Sequence, residues 1–287
     1  MAARHDRSVI ALLDIGGTKL AAAVAVDGRI GTIVRRPTPR AGPVWALTSL
    51  IDEATGGQPP EAIGISAPGP FDRAGGALLE PPGMPVAWHG LQLRSELGER
   101  YRCAVTVEND ANCAAVAEAR SGAASGLRTV VYFTVSTGIG TGVVRDGELV
   151  TGRHDTEGGH QVLWPEWAGG PPCHCGGHGC LEALASGLAI ERRFGVDASA
   201  LDDPAAWADV GRWLGLGAVN AVALHDPDAV IFGGGVCAAW HRFGPVLLAT
   251  VESHLYLQPV PRITLGSLGE ERSLLGALAL TLGRSAN

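Results

Sequence analysis

Apolar and polar positions switch between a strand rhythm and a helix rhythm along this chain. Ser8 to Leu13 is almost continuously apolar and predicts a buried strand, Asp14 to Lys19 a glycine turn, and Leu20 to Val26 a second strand. Asp27-Gly28 predicts a hairpin turn into a third strand at Arg29 to Arg35, so the chain opens as a β-meander. A short strand at Ala62 to Ser66 ends in the rigid loop Ala67-Pro68-Gly69-Pro70. Helices are expected at Leu91 to Arg100 and, rich in alanine, at Asn112 to Ala124, with a strand at Ala104 to Glu108 between them. Val130 to Val135 is the next strand, followed by the glycine turn Ser136 to Gly142, a strand at Val143-Val144 and a turn at Asp146-Gly147.

Strand, glycine turn with hydroxyls, strand and Asp-Gly turn thus occur at residues 8–28 and again at 130–147, which predicts two similar half-domains facing each other. Later helices are expected near Glu182 to Phe194, Pro204 to Leu224, Ala238 to His254 and Arg272 to Leu282. A strand at Ala229 to Phe232 leads into a third glycine turn, Gly233 to Gly235. Small residues between Ser121 and Ser125 mark a boundary. It separates an N-terminal α/β domain, 1–121, completed by the C-terminal helix 272–284, from a C-terminal α/β domain, 122–287.

Composition narrows the class. With 287 residues, 46% of them hydrophobic and 18% charged, the chain suits two compact domains rather than a disordered segment. A net charge of -7 argues against a nucleic-acid footprint, which needs a basic face. The first apolar stretch is short and interrupted by Asp14, unlike a signal peptide, and the longest apolar run, Trp213 to Leu224, falls well short of the ~20 residues of a membrane span. A cytoplasmic location is therefore expected. Cys103, Cys113 and Cys237 lie among apolar residues and read as buried thiols.

The chemistry concentrates between Glu157 and Glu182. Glu157-Gly-Gly-His160 is followed, twelve residues on, by Cys173-His-Cys175-Gly-Gly-His-Gly-Cys180-Leu-Glu182. One imidazole and three thiolates, His160, Cys173, Cys175 and Cys180, predict a closed tetrahedral structural Zn2+ site. Cys-x-Cys is a poor disulfide spacing, and the glycines let the chain fold tightly around an ion. His174 and His178 are rival nitrogens; His160 is preferred because a ligand from a separate segment closes a loop. Glu157 and Glu182 are not needed as ligands and can accept hydrogen bonds from a hydroxyl-rich ligand.

The turn Asp14-Ile-Gly16-Gly17-Thr18-Lys19 can bring backbone N–H groups and a hydroxyl onto an anion. Of the 22 lysines and arginines only Lys19 is a lysine, a compact ammonium suited to a crowded phosphate. Ser136-Thr137-Gly138 and its following glycines form a counterpart, and Gly233-Gly234-Gly235 lets a flat adenine or its ribose approach the backbone. None of these is a Walker sequence. Glu108-Asn109-Asp110 sits between a strand and a helix. Asp110 there is either a helix N-cap or a base that takes a proton from a hydroxyl while Asn109 holds the adjacent one.

On Asp14-x-Gly-Gly-Thr-Lys19, Asn109-Asp110, the Ser136 to Gly142 turn, Glu157-x-Gly-His160, Cys173-x-Cys175-Gly-x-x-Gly-Cys180-x-Glu182 and Gly233-Gly234-Gly235, the chain resembles sugar kinases of the ROK family, within the actin-like ATPase superfamily. The resemblance implies two RNase H-like domains with a cleft between them that closes over ATP and a hexose. It implies Asp110 as catalytic base and Gly69, Asn109, Asp110, Glu157, His160 and Glu182 as sugar contacts. ATP and Mg2+ would meet Asp14, Gly16, Gly17, Thr18, Lys19, Thr137, Gly138, Gly234 and Gly235. A homodimer is implied as well.

One departure stands out. Many family members carry an Asn in the loop before a Trp, whereas this chain reads Glu80-Pro-Pro-Gly-Met-Pro-Val-Ala-Trp88. Glu157 suits an unmodified hydroxyl near C1 and C2, so glucose is the expected substrate, with N-acetylmannosamine, N-acetylglucosamine or a cyclitol as alternatives. A non-catalytic sugar-sensing repressor is the alternative from another class. A first strand expected from Ser8 and the acidic balance argue against its DNA-binding module.

Overall fold

The computed structural model describes residues 8–81 and 83–285. Met1–Arg7, part of the segment read against a signal peptide, and Pro82, part of the Glu80–Trp88 stretch, lie outside the described residues. In chain order the elements are β1 (Val9–Ile15), β2 (Lys19–Val26), β3 (Arg29–Ile30), β4 (Val34–Pro37), α1 (Pro43–Thr55), β5 (Ala62–Ala67), β6 (Phe71–Asp72), β7 (Ala77–Leu78), α2 (Leu93–Tyr101), β8 (Ala104–Asn109) and α3 (Asp110–Ser121). They continue with β9 (Thr129–Val135), β10 (Ile139–Arg145), β11 (Glu148–Leu149), α4 (Leu181–Ala185), α5 (Gly187–Phe194), α6 (Pro204–His225), β12 (Ala229–Gly233), α7 (Trp240–His254), β13 (Arg262–Leu265) and α8 (Arg272–Ser285). The chain divides into two compact units, residues 1–117 with 270–287, and residues 118–269.

In the first unit the sheet order is β3-β2-β1-β5-β8, with β4 also on β2. β1 runs antiparallel to β2 and parallel to β5, which is parallel to β8. The Asp27-Gly28 turn has φ of 52° and 76°, the left-handed pair that matches the twist of a tight hairpin. The expected third strand, Arg29 to Arg35, is corrected to two pieces. β2 pairs Ala25 with Ile30 but Ala22 with Val34, so one extra residue is accommodated and the strand kinks there.

Both faces of this sheet are covered, which is why β1 and β5 carry almost no polar side chains. On one face Leu47, Leu50 and Ile51 of α1 pack with Leu13, Ile63 and Ile65. On the other, Leu274, Ala277 and Leu278 of α8 pack with Ile10, Leu12 and Cys113. The contact of α8 with α3 is backbone-close, since a Cβ on Gly276 would overlap the carbonyl of Cys113. Gly276→Ala is therefore expected to destabilise the protein by about 1–3 kcal/mol, read as a lowered thermal midpoint.

The second unit has the order β11-β10-β9-β12-β13. β9 and β10 are an antiparallel pair, β10 turns into β11 through the same left-handed Asp-Gly pair at Asp146-Gly147, and β12 lies parallel to both β9 and β13. The expected turn Ser136 to Gly142 is shorter than read: Ile139 to Gly142 already pair with β9, leaving Ser136-Thr137-Gly138 as the turn. The single helix expected at Glu182 to Phe194 is broken at Ser186, whose hydroxyl caps α5 by accepting from Ala189 N at 3.1 Å. α6 and α7 pack on this sheet through Trp207, Leu214, Phe243 and Leu247 against Phe133 and Phe232. Among the described residues, no helix is long and apolar enough to cross a membrane.

Candidate active site

In the first unit three neighbouring parallel strands end together. Asp14 pairs with Ser66, Ser66 with Glu108, and Ala67 with Asn109, so Asp14 and the Asn109-Asp110 step share the carboxyl edge of β1, β5 and β8. That edge is where open α/β sheets receive ligands. Asn109, not Asp110, caps α3: its Oδ1 accepts Ala111 N at 2.9 Å and Asn112 N at 3.3 Å. The amide oxygen is thereby occupied, and its Nδ2 is turned toward Gly69, where an added Cβ would stand 3.3 Å away. The reading of Asp110 as the N-cap is corrected accordingly. Asp110 is the first helical residue and its Oδ1 accepts Ala111 N at 2.7 Å.

Electrostatics set Asp110 apart. Desolvation, helped by the negative charge of Asp14, pushes its carboxyl up to about 6, against the Ala111 N–H and the Arg272 guanidinium, which favour the charged form. Asp14 is itself pushed up by burial, opposed by the Ser66 hydroxyl and by Arg272, Lys19 and Arg35. Arg272 was not read from the sequence as a site residue. Its signal was available: a cation on the first turn of α8 opposes the helix dipole, and a carboxylate pair offsets that cost.

The turn after Asp14 is closed by Gly16 N on Lys19 O at 3.0 Å and by the Thr38 hydroxyl on Gly16 O at 2.6 Å. Gly17 lies so near the Glu80–Trp88 loop that a Cβ would come within 2.6 Å of the Gly83 carbonyl oxygen. In that loop Trp88 is fully buried, with its indole N–H on Pro39 O at 2.9 Å. Thr18 and Lys19 are exposed. The Lys19 ammonium and Arg35 share Glu270, at 3.5 and 3.4 Å, exposed pairs of little intrinsic strength that an incoming anion can replace.

The second unit holds the other cluster. His160 Nδ1 stands 3.6 Å from Cys173 Sγ, Cys175 Sγ stands 3.7 Å from Cys180 Sγ, and the four ligand atoms all lie within 4.8 Å of one another. Around a tetrahedral zinc, with Zn–S of about 2.3 Å and Zn–N of about 2.0–2.1 Å, two sulfurs stand about 3.8 Å apart and a sulfur and a nitrogen about 3.6 Å. The residues fit that ion, and the cysteines are not bridged. The rival imidazoles are engaged elsewhere: His174 Nδ1 is 2.8 Å from Glu182 Oε1, and His178 Nδ1 is 3.9 Å from Glu166. His160, His174 and Glu182 also bring ligand atoms together. That set has one donor fewer and no thiolate, so it suits zinc less well.

Glu182 differs from its expected state as an uncommitted acceptor. It is 8% exposed, and its Oε2 accepts Ile139 N at 2.8 Å while Oε1 faces His174. The carboxylate thus locks the metal loop onto the Ser136-Thr137-Gly138 turn, so closely that a Cβ on Gly138 would come within 2.5 Å of Oε2. Glu157 is exposed and precedes a short 3₁₀ turn, Gly158–His160, anchored by Gly158 N on the Thr141 hydroxyl at 2.8 Å. Gly187 N donates to Ser136 O at 2.7 Å, tying the same turn to the start of α5. Gly234, with φ of 99°, packs directly on the Val135 backbone, so the second and third glycine turns adjoin at the carboxyl ends of β9 and β12.

Comparison with known proteins agrees with this arrangement. The ROK family model matches residues 10–284. A glucokinase of Thermotoga maritima is 33% identical, the match covering 93% of this chain and 95% of that one. The crystal structure of a ROK hexokinase from Thermus thermophilus superposes with a TM-score of 0.87 at 37% identity, over 97% of this chain and 99% of that one. A ROK glucokinase from Streptomyces griseus, solved with glucose and AMPPNP, gives a TM-score of 0.81 at 30% identity, over 96% and 99%. The chain, an α/β protein in both units, belongs to the ROK family.

Proposed function

We propose that this protein is an ATP-dependent hexose kinase that transfers the γ-phosphoryl group of ATP to the primary hydroxyl of a hexose, glucose first among them. The observation that carries the reading is a carboxyl at the edge of the first sheet, raised to about 6 and flanked by an amide donor of fixed orientation. Such a group is ionised at neutral pH yet basic enough to take a proton from an alcohol. The glucokinase relatives and the glucose- and AMPPNP-bound neighbour support the choice of substrates.

In this reading Asp110 accepts the hydroxyl proton as the sugar oxygen forms its bond to the γ-phosphorus and the bond to the ADP oxygen breaks. Asn109 donates from Nδ2 to a neighbouring sugar hydroxyl, because its Oδ1 is spent on α3. Gly69 gives the sugar room. Glu157, His160 through the nitrogen not on zinc, and the remaining lone pairs of Glu182 receive the other hydroxyls. Gly16, Gly17, Thr18, Lys19, Thr137 and Gly138 offer N–H groups, hydroxyls and a cation to the polyphosphate, and Gly234 and Gly235 a flat approach for the nucleoside. Mg2+, with Asp14 as its protein partner through water, would neutralise charge on the polyphosphate. Zinc held by His160, Cys173, Cys175 and Cys180 would keep the loop that carries Glu157 in shape. The two units are the RNase H-like halves that membership implies, and the assembly it implies is a homodimer.

The test is ADP release over a panel of hexoses, N-acylhexosamines and cyclitols. Glucose is expected to give the highest kcat/KM. A clear preference for an N-acylhexosamine or a cyclitol would move the substrate within the family, and no ADP release with any of them would refute the kinase reading.

A further inference from the structure

Behind the Asn109-Asp110 step lies an ion pair, its carboxylate buried and its guanidinium half-buried, that phosphoryl transfer itself does not consume. Glu108 is 1% exposed. The Arg73 guanidinium grips it with both terminal nitrogens, NH2 on Oε1 at 2.8 Å and NH1 on Oε2 at 3.3 Å. Oε1 also accepts the Asn109 N–H at 3.0 Å and the Asn112 amide Nδ2 at 3.0 Å. Asn109 is therefore held twice, its main chain by Glu108 and its side-chain oxygen by the first turn of α3. Only the direction of Nδ2 is left for a ligand.

The other end of the pair fixes the opposite wall. Arg73 follows β6, just after the Gly69-Pro70 step, in a turn closed by Asp72 on Ala74 N at 3.0 Å and Gly75 N at 2.8 Å, and by Arg94 on the carbonyls of Ala74 and Arg73. Gly69 is the backbone that Asn109 Nδ2 faces. A single guanidinium–carboxylate fork thus joins the segment bearing Gly69 to the residue bearing the sugar-facing amide. Packing alone does not require a charge here, because an apolar pair fills such a site at similar stability. A planar bidentate fork adds what an apolar pair lacks, a fixed direction.

We propose that Arg73 and Glu108 are positioning residues for sugar binding: they touch neither substrate nor phosphate, and they set the distance and angle between the Asn109 amide and the Gly69 backbone. The proposal rests on the hexose-kinase reading for its kinetic consequence. The largest influences on Asp110 are burial, Asp14, its helix-start N–H groups and Arg272, so the loss of Arg73 is expected to leave the base nearly unaltered.

The experiment is steady-state kinetics of R73M, R73K and the double variant R73M/E108M, with amide hydrogen exchange read at Ala111 and Asn112. R73M is expected to raise the hexose KM by about tenfold or more while kcat at saturating sugar changes little and the acid limb of its pH profile stays in place. Exchange at Ala111 and Asn112, whose acceptor is the Asn109 side chain, is expected to quicken about tenfold. R73K, which keeps the charge but not the fork, should fall between. If R73M fails to fold, the double variant, apolar at both positions, carries the same expectation. An unchanged KM in folded R73M or in the double variant, or unchanged exchange at the two amides, overturns the proposal. Should the wild-type protein phosphorylate no sugar, the functional reading fails and the exchange data alone decide whether the pair positions Asn109.

Discussion

Asp110→Asn lowers hexose turnover by about 10²-fold or more while the dissociation constant for the sugar stays within a few-fold of wild type. The expectation follows from what the substitution removes. Asparagine keeps the size of the side chain and an oxygen for Ala111 N, but it cannot accept the hydroxyl proton. The wild-type pH profile carries the same signature. Asp110 must be ionised to act, and its carboxyl is raised to about 6 by desolvation and by Asp14, so kcat falls as pH drops through about 6 and is constant above it. Arg272→Met removes a positive charge that favours the ionised form, so the acid limb moves to higher pH. Stopped assays of kcat from pH 5 to 8, with sugar affinity measured by calorimetry, test both. A near-normal rate for D110N, or an acid limb unmoved in R272M, would remove Asp110 from the role of base.

The second large effect belongs to the metal loop. Purified protein is expected to contain about one zinc per chain, and Cys175→Ala to lose it. Cys175 is exposed, so its truncation leaves no cavity in the core and reports on the ion alone. Because ligand-bound zinc contributes its binding free energy to folding, losing one thiolate should cost about 3 kcal/mol or more, a fall of roughly 6–12 °C in the melting midpoint for a unit of this size. Sugar KM rises with it, since Glu157 and His160 bracket the turn that the ion secures. Cys103→Ala, a half-buried thiol remote in sequence from the cluster, is the control and should change neither metal content nor KM. Zinc-free protein with full stability and activity would sink the idea.

Much of this site was legible because its residues are close in sequence. Cys173, Cys175 and Cys180 fall within one loop, and Asp14 to Lys19 and Ser136 to Gly138 are single turns whose geometry is local. The two Asp-Gly turns were equally readable, since a left-handed pair of residues selects them wherever they occur. Elements stabilised from a distance were not read. α1 begins at Pro43 and carries Trp45, 72% exposed, which blurs the period marked by the buried Leu47, Leu50 and Ile51. The β6–β7 hairpin has two residues to a strand, and β13 is a four-residue strand that among the described residues pairs with β12 alone, so neither has enough pattern to announce itself.

By itself the sequence determined the ROK family signature, the glycine and Asp-Gly turns with the strands beside them, the four His and Cys side chains that converge around His160 and the presence of an acid at position 110. Tertiary structure alone decided how those groups are charged and held. Asp110 is raised first because folding desolvates it and then because β1 and β8 bring Asp14 near it, and Asn109 points its donor outward because Glu108 and α3 occupy its other groups. Glu182 is locked to Ile139, and Asp110 feels Arg272 from the last helix of the chain. Apart from the local contacts of Asn109, these depend on residues tens to hundreds of positions apart. A side chain's chemistry is written at its own position, but its protonation and direction are set by neighbours that only folding supplies.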